Sequence, residues 1–422
     1  MKFVLISCLA LSLRADEVMH LTLADARRLA IENNPQFGSA KLTASAAHQV
    51  APQFRANLLP QLSGLVTGVG ADSGSRLAAG ALNNPTVYSR LATGVVASQL
   101  LSDFGRTRSL MAASTLHAQA QDQTTEATRA DILLATTRAY YNVLRAQAVL
   151  TVAQQTVNAR QLVSDQVTTL AENKLKSTLD VSFANVNLAD SRLLLAQAQN
   201  DLASAKAELA TVMGLPRQAD FALADEPMPG AQPASVDPLI QEAIANRPEL
   251  KSLRLEQNSE ERFVKAEHEL NYPTIDAIGA AGVVPARESA IRGSYGAAGV
   301  NVTIPIFNGG LFRARQSEAE FKAQAAAKNL DDQANRVMRD VRVAYLNAET
   351  AFERVGLTDQ LLQQAQLSLD LSQERYRLGL SSIIELSQAQ LNLTSAQIAS
   401  ASARFDYAAQ NAAVQYQIGA LR

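Results

Sequence analysis

Apolar and polar residues alternate in four short stretches of this chain. In the clearest, Val302, Ile304 and Ile306 interleave with Asn301, Thr303 and Pro305, the period-two pattern of a strand with one buried face. That run closes on the turn signal Asn308-Gly309-Gly310, and no proline follows to the last residue. The strand-like stretches are 61–70, 89–101, 274–284 and 294–306. The connections within each pair, ADSGSRLAAGALNNPT and PARESAIRG, have loop composition.

Everything else is written at helical spacing. Between Gly105 and Gly214 there is neither glycine nor proline, and between Gly310 and Gly419 only Gly356 and Gly379. Gaps this long in both helix breakers predict long helices. One weak break falls near AENKLKST (Ala171 to Thr178), and its counterpart is YRLGLSSI (Tyr376 to Ile383), where Gly379 suits the positive φ of a tight turn. Each half therefore reads as a helix of about 67 residues, a turn, and a return helix of about 37, roughly 100 Å and 55 Å long. An opening helical segment, about 21–57 or 236–271, ends at Pro60 or Pro273 and is the right length to cover the other half of the long helix. Leu188, Leu195, Leu202 and Leu209 recur every seventh residue, each followed three later by Ser191, Ala198, Ala205 or Val212. That is an a/d seam with a small-residue side that lets helices approach closely. Leu386 and Leu393, with Ala389, Ala396 and Ala403, repeat it less regularly. Such a stripe is core and implies no cofactor.

The two halves are copies of one plan. IENNPQF (Ile31 to Phe37) resembles IANRPEL (Ile244 to Leu250), and Pro60 meets Pro273 at the same offset. Further on a second offset holds without a gap: Gly105 meets Gly310, Ala139-Tyr140 meets Ala344-Tyr345, Ser177 meets Ser382, Asp180 meets Glu385, Asn187 meets Asn392, and Gly214 meets Gly419. The expected organisation is a leader over 1–15, a first repeat over 16–213, a Pro-rich linker over 214–235 and a second repeat over 236–422.

Composition narrows the function. The chain has 422 residues and a net charge of −2, from 38 basic and 40 acidic residues, so no basic surface argues for nucleic acid. It is 47% hydrophobic but only 5% aromatic, which suits closely packed helices more than a bulky core. Lys2, the apolar run Phe3 to Leu13 and the small residue Ala15 read as a secretory leader, with a buried N-terminal helix as the alternative. The sole cysteine, Cys8, lies inside that stretch, so the mature chain has no thiol. His20, His48, His117 and His268 are scattered without metal-ligand spacing, and there is no phosphate loop or nucleophile elbow. Neither an enzyme, a metal nor a cofactor is expected.

No run approaches the ~18 apolar residues of a membrane helix, so an exported membrane protein of this sequence must enter as a β-barrel. Four strands cannot close a barrel alone, whereas three chains give twelve strands and twelve helical columns. The competing picture is a small soluble sheet capping a coiled-coil rod.

At LLSDFGRTR (Leu100 to Arg108), VTIPIFNGGLFRAR (Val302 to Arg315), ERYRLGLSSIIELSQAQ (Glu374 to Gln390), ELATVMGLP (Glu208 to Pro216) and the NRPEL-type openings, the chain resembles the outer-membrane efflux protein family of TolC-like factors, over essentially its whole mature length. The resemblance implies a mostly α fold with a small membrane β-barrel contribution. It implies a homotrimer in outer-membrane lipid, with a twelve-stranded barrel set on a twelve-column α-helical barrel in the periplasm. It also implies a periplasmic adaptor protein docked at the hairpin tips and, through it, an inner-membrane pump of RND, ABC or MFS type. Leu378, Gly379, Leu380 and Ser381 match the adaptor-docking tip. Asn173, Lys174, Leu175 and Ser177 are the first-copy counterpart, with lysine in place of glycine. Glu385 matches a carboxylate that constricts the pore, and Gln388, Asp180 and Tyr376 belong to the same gate region. Ser381 stands where some members carry a gate-locking arginine. An exported or soluble coiled-coil scaffold without a pore is the alternative function.

Overall fold

The computed structural model describes residues 19–72, 74–75, 86–215 and 221–421; the predicted leader over 1–15, with Cys8, lies outside them. Among the described residues the elements are β1 (Met19–Leu21), α1 (Leu23–Asn33), α2 (Pro35–His48), α3 (Val50–Ala56), β2 (Gln61–Val69), β3 (Arg90–Ser102), α4 (Arg106–Glu172), α5 (Thr178–Val212), β4 (Phe221–Leu223), α6 (Asp237–Asn246), α7 (Pro248–His268), β5 (Thr274–Arg287), β6 (Ser294–Thr303), α8 (Leu311–Arg377) and α9 (Ile383–Gln417). The chain is mostly helical. Both long helices have 67 residues and both return helices 35. No described helix is long and apolar enough to cross a membrane.

Two compact units can be distinguished. One comprises the chain up to Ser39 with Glu126–Arg247 and Asn335–Arg422; the other is Ala40–Thr125 with Pro248–Ala334. The second contains the sheet, ordered β2-β3-β5-β6 and antiparallel throughout. Residues opposite each other in an antiparallel ladder share a face, so the register sorts the side chains. Leu62, Val66, Val95, Ala97, Ile275, Ala277, Ala281, Ala298, Val300 and Val302 fall on one face, with Thr93, Gln99 and Ser294 among them. Gln61, Ser63, Thr67, Ser98, Asp276, Asn301, Thr303 and Tyr295 fall on the other, among small and a few apolar residues. On that second face Tyr295 lies over Gly282 and Gly94, which are consecutive across three strands; a Cβ at either glycine would collide with the tyrosine ring or hydroxyl. Among the described residues β2 and β6 are edges with no partner strand.

The last strand stops at Thr303 rather than at Ile306. Thr303 pairs with Thr274, the first residue of β5, and beyond it the ladder has no partner. Pro273 precedes Thr274, and Pro305 could not donate in any case. In the same unit α7 lies close against the start of α4. Ser259 Oγ donates to the Ala113 carbonyl at 2.8 Å and Ser252 Oγ to that of Ala120 at 2.9 Å. Glu267, only 1% exposed, holds Arg315 at the start of α8, with Nε 2.7 Å from Oε2.

The opening segments are not single helices. The first breaks between Asn33 and Pro35 and again at Gln49; the second breaks between Asn246 and Pro248. A residue before proline is pushed out of the α region, and Asn34 (ψ 120°) and Arg247 (ψ 125°) are both extended. In the first unit each break seats the end of a return helix. Asn34 Nδ2 donates to the Val212 carbonyl at 3.1 Å, and Arg247 donates to Gln417 Oε1 at 2.6 Å. Gly214, at φ 68°, follows α5 so tightly that a Cβ there would stand 2.7 Å from the Asn33 carbonyl oxygen.

That unit also holds the linker, whose described residues 221–235 form β4, paired in parallel with β1, and little other regular structure. Tyrosine hydroxyls strap it down. Tyr140 donates to the carbonyls of Ala224 (2.7 Å) and Leu21 (3.1 Å), Tyr345 to Pro233 (2.8 Å), and Tyr407 to Gly230. Tyr140 is fully buried among Leu209, Met213 and Phe221. Burial first, and then the field of Glu226, push its hydroxyl well above the usual tyrosine range, so it is a neutral donor. Tyr140→Phe leaves buried carbonyls without this donor and is expected to lower stability by about 1–2 kcal/mol, whereas Tyr140→Ala, which also opens a cavity, costs about 3–5 kcal/mol. Denaturant unfolding followed by circular dichroism measures both; unchanged stability in Tyr140→Phe would mean that the hydroxyl does nothing beyond packing.

Candidate functional site

The predicted site residues gather at two helix turns. α4 ends in a Schellman motif: Lys174 N–H donates to the Ala171 carbonyl (2.9 Å) and Leu175 N–H to that of Leu170 (2.8 Å). α8 ends identically, with Gly379 N–H to Tyr376 (3.1 Å) and Leu380 N–H to Arg375 (2.8 Å). The motif needs a left-handed residue, and Gly379 supplies it at φ 74°. Lys174 takes φ 61° although it carries a Cβ, a conformation that costs roughly 1–2 kcal/mol. The lysine-for-glycine exchange therefore leaves the turn's hydrogen bonding intact and adds strain. Leu175, Leu378 and Leu380 are 69%, 63% and 68% exposed at these turns, with Asn173 exposed beside them.

The two return helices start differently. Ser177 caps α5 with a complete capping box: its Oγ accepts from Asp180 N–H (3.1 Å), while Asp180 Oδ2 accepts from Ser177 N–H (3.1 Å). Ser382 caps α9 by accepting from Glu385 N–H at 3.3 Å, and Glu385 makes no return bond. Its longer side chain instead reaches Arg375, with Oε1 3.4 Å from Nε, in a largely exposed pair. Asp180 is thus a structural cap, and Glu385 is an exposed carboxylate at the tip. Gln388, exposed one turn on, donates to Asn392 Oδ1 at 2.9 Å.

The two tips also touch. Lys176 Nζ sits 3.9 Å from the centroid of the Tyr376 ring, a cation–π contact, and Asn187 Nδ2 donates to Ser387 Oγ at 2.7 Å. The Tyr376 hydroxyl is buried without a hydrogen bond among the described residues, and its pKa is raised by desolvation first and the field of Asp180 second. Ser381 Oγ is likewise buried without a partner. The structure brings Tyr376, Asp180 and Lys176 together. Lys176 and Arg375 were missed in the sequence, because each departs from its counterpart in the other copy (Ser381 and Leu170) and so carries no repeat signal.

Comparison with known proteins agrees with this geometry. The family model described as outer membrane efflux protein matches residues 26–215 and 239–420. Outer membrane protein TolC of Escherichia coli K12 is 27% identical over 411 residues, covering 92% of this chain and 80% of that protein. The alkaline protease secretion protein AprF of Pseudomonas aeruginosa is 24% identical over 430 residues, covering 97% and 87%. Among solved structures, the outer membrane protein VceC of Vibrio cholerae has the same fold, with a TM-score of 0.80 at 19% identity, covering 94% of this chain and 96% of that one.

The strained turn gives a direct test. Lys174→Gly relieves the left-handed penalty, and Gly379→Ala introduces it. About 1 kcal/mol of local stability corresponds to a roughly fivefold change in opening. Amide hydrogen exchange over the turns is expected to slow in Lys174→Gly and to quicken in Gly379→Ala by that factor.

Proposed function

Because the chain belongs to the outer membrane efflux protein family, we propose that three copies form one duct, through which a pump beyond the periplasm exports its cargo. The protein is an outer-membrane efflux or secretion channel and not an enzyme. The finer reading rests chiefly on the sheet. It has one mainly apolar face, one face rich in polar and small side chains, and, among the described residues, two edges without a partner strand. In hydrocarbon an open edge leaves backbone groups unpaired at several kcal/mol each. Joining β6 of one chain to β2 of the next removes every edge and makes twelve strands, with Val300, Val302, Val66 and Ile275 toward lipid and Asp276, Asn301 and Thr67 toward the lumen.

The tips supply the other contact. Exposed Leu378, Leu380 and Leu175 around Gly379 and Lys174 form small apolar knobs suited to a helical hairpin of a periplasmic adaptor, with Ser381, Asn173 and Ser177 at their margins. Around the threefold axis Glu385 becomes an acidic ring at the periplasmic entrance, with Gln388 one turn farther along the same helix. Tyr376, wedged between Lys176 and the field of Asp180, ties the two hairpins of each chain together. The cargo is set by the pump.

Two measurements test this reading. In planar bilayers the wild-type protein is expected to conduct and to be blocked by a trivalent cation from the periplasmic side. Glu385→Ala should weaken that block at least tenfold; an unchanged block removes Glu385 from the pore. A chain that migrates as a monomer without heating, and that conducts nothing, is a coiled-coil scaffold instead.

A further inference from the structure

Near the tip, α4, α8 and α9 enclose a cavity of about 660 Å³. Its floor is apolar, built from Val167, Leu369, Leu386 and Leu393 of one continuous core cluster. Three of its polar groups have no hydrogen-bond partner among the described residues. Arg160 lines it, 7% exposed, and among the described residues no hydrogen bond or ion pair engages its guanidinium. Asp190, the acid whose field reaches it, is exposed and lines, together with Arg160, an adjoining cavity of about 440 Å³. Gln390, 8% exposed, also lines the cavity, and its amide makes no hydrogen bond among the described residues. The unpartnered Tyr376 hydroxyl belongs to a third lining residue, and Lys176 adds a second cation at one end. Glu374, the acid in the lining, is held by Arg377 at 2.7 Å.

A buried guanidinium without a partner is costly, and the cost is removed by an anion that accepts from its fork of donors. We propose that this cavity binds an anionic amphiphile: a carboxylate or phosphate monoester head on Arg160, within reach of Gln390 and Lys176, and an unbranched apolar chain along Leu369, Leu386 and Leu393. The cavity has the size of a small-molecule site and the usual composition of one, an apolar wall with a few convergent polar groups. A bound ligand bridges α4 to α8 and α9.

The probes are decanoate, decyl phosphate and uncharged decanol, titrated calorimetrically into the full-length protein in lipid nanodiscs. Saturable binding of both anions at one site per chain is expected, with decanol at least tenfold weaker. Decanoate alone selects a carboxylate ligand and decyl phosphate alone a phosphate ester, each within the proposal. Arg160→Gln and Lys176→Gln should weaken the anions at least tenfold and severalfold, leaving decanol unchanged. Lys176→Gln lies at the edge of the cavity and keeps the test open if Arg160→Gln fails to fold. A diazirine-tagged decanoate should label Leu369, Leu386 or Leu393 in the unmutated protein. Equal binding of decanol and decanoate, labelling elsewhere, or no saturable binding of either anion overturns the proposal.

Discussion

The architecture depends on a left-handed residue at the ends of its long helices. A long helix is turned back sharply where φ goes positive, because N–H groups then fold back on the carbonyls of its last turn. α4, α5, α8 and α9 finish on Lys174, Gly214, Gly379 and Gly419, each with the six-to-one and five-to-two hydrogen bonds of the same motif. α4 and α8 also begin after consecutive positive-φ residues, Phe104-Gly105 and Gly309-Gly310. Of the positive-φ residues in the described chain, Gly74 alone lies elsewhere. These joints fix the helix lengths, and the helix lengths fix where the tips stand relative to the paired positions of the other copy.

The joints are reinforced by what packs on them. The X-Pro breaks at Asn34 and Arg247 bring an extended residue against the ends of α5 and α9, and Gly214 is needed both for its φ and because the Asn33 backbone leaves no room for a Cβ. The tyrosine hydroxyls then satisfy linker carbonyls that no strand or helix would satisfy. A chain poor in aromatics thus spends several of its nine tyrosines on backbone accounting rather than on bulk.

This explains which parts could be read from sequence. The long helices were legible because glycine and proline are absent over such long runs, and the return helices because their heptad positions are the ones buried: Leu188, Ser191, Ala198, Ala205 and Leu209 in α5. The strands were legible from alternation. The breaks at Pro35 and Pro248 were visible as a repeat, yet read through as helix, because the restriction proline places on its preceding neighbour was outweighed by the apolar periodicity on both sides. β1 and β4 carry no pattern at three residues each, and their pairing is a long-range event. At the tips, Gly379 announced its turn, whereas the break at Ala171 to Thr178 was weak and gained its meaning from the repeat, because Lys174 is a residue type that gives no local turn signal.

The divergence between the copies has a direction. Both non-glycine residues with positive φ, Phe104 and Lys174, lie in the first copy, at the positions where the second has Gly309 and Gly379. The carboxylates diverge at the same joint. Aspartate at 180 is short enough to close back on Ser177, and its charge is spent on the helix start. Glutamate at 385 is one methylene longer; it leaves its own cap and stands exposed beside Arg375. The closed capping box commits the first turn's carboxylate to its own helix start, while Glu385, held only by an exposed pair with Arg375, leaves the second free to meet other groups. On this physical ground, the proposed pore ring and the proposed docking contact belong chiefly to the second copy, with the first serving as the frame that positions it.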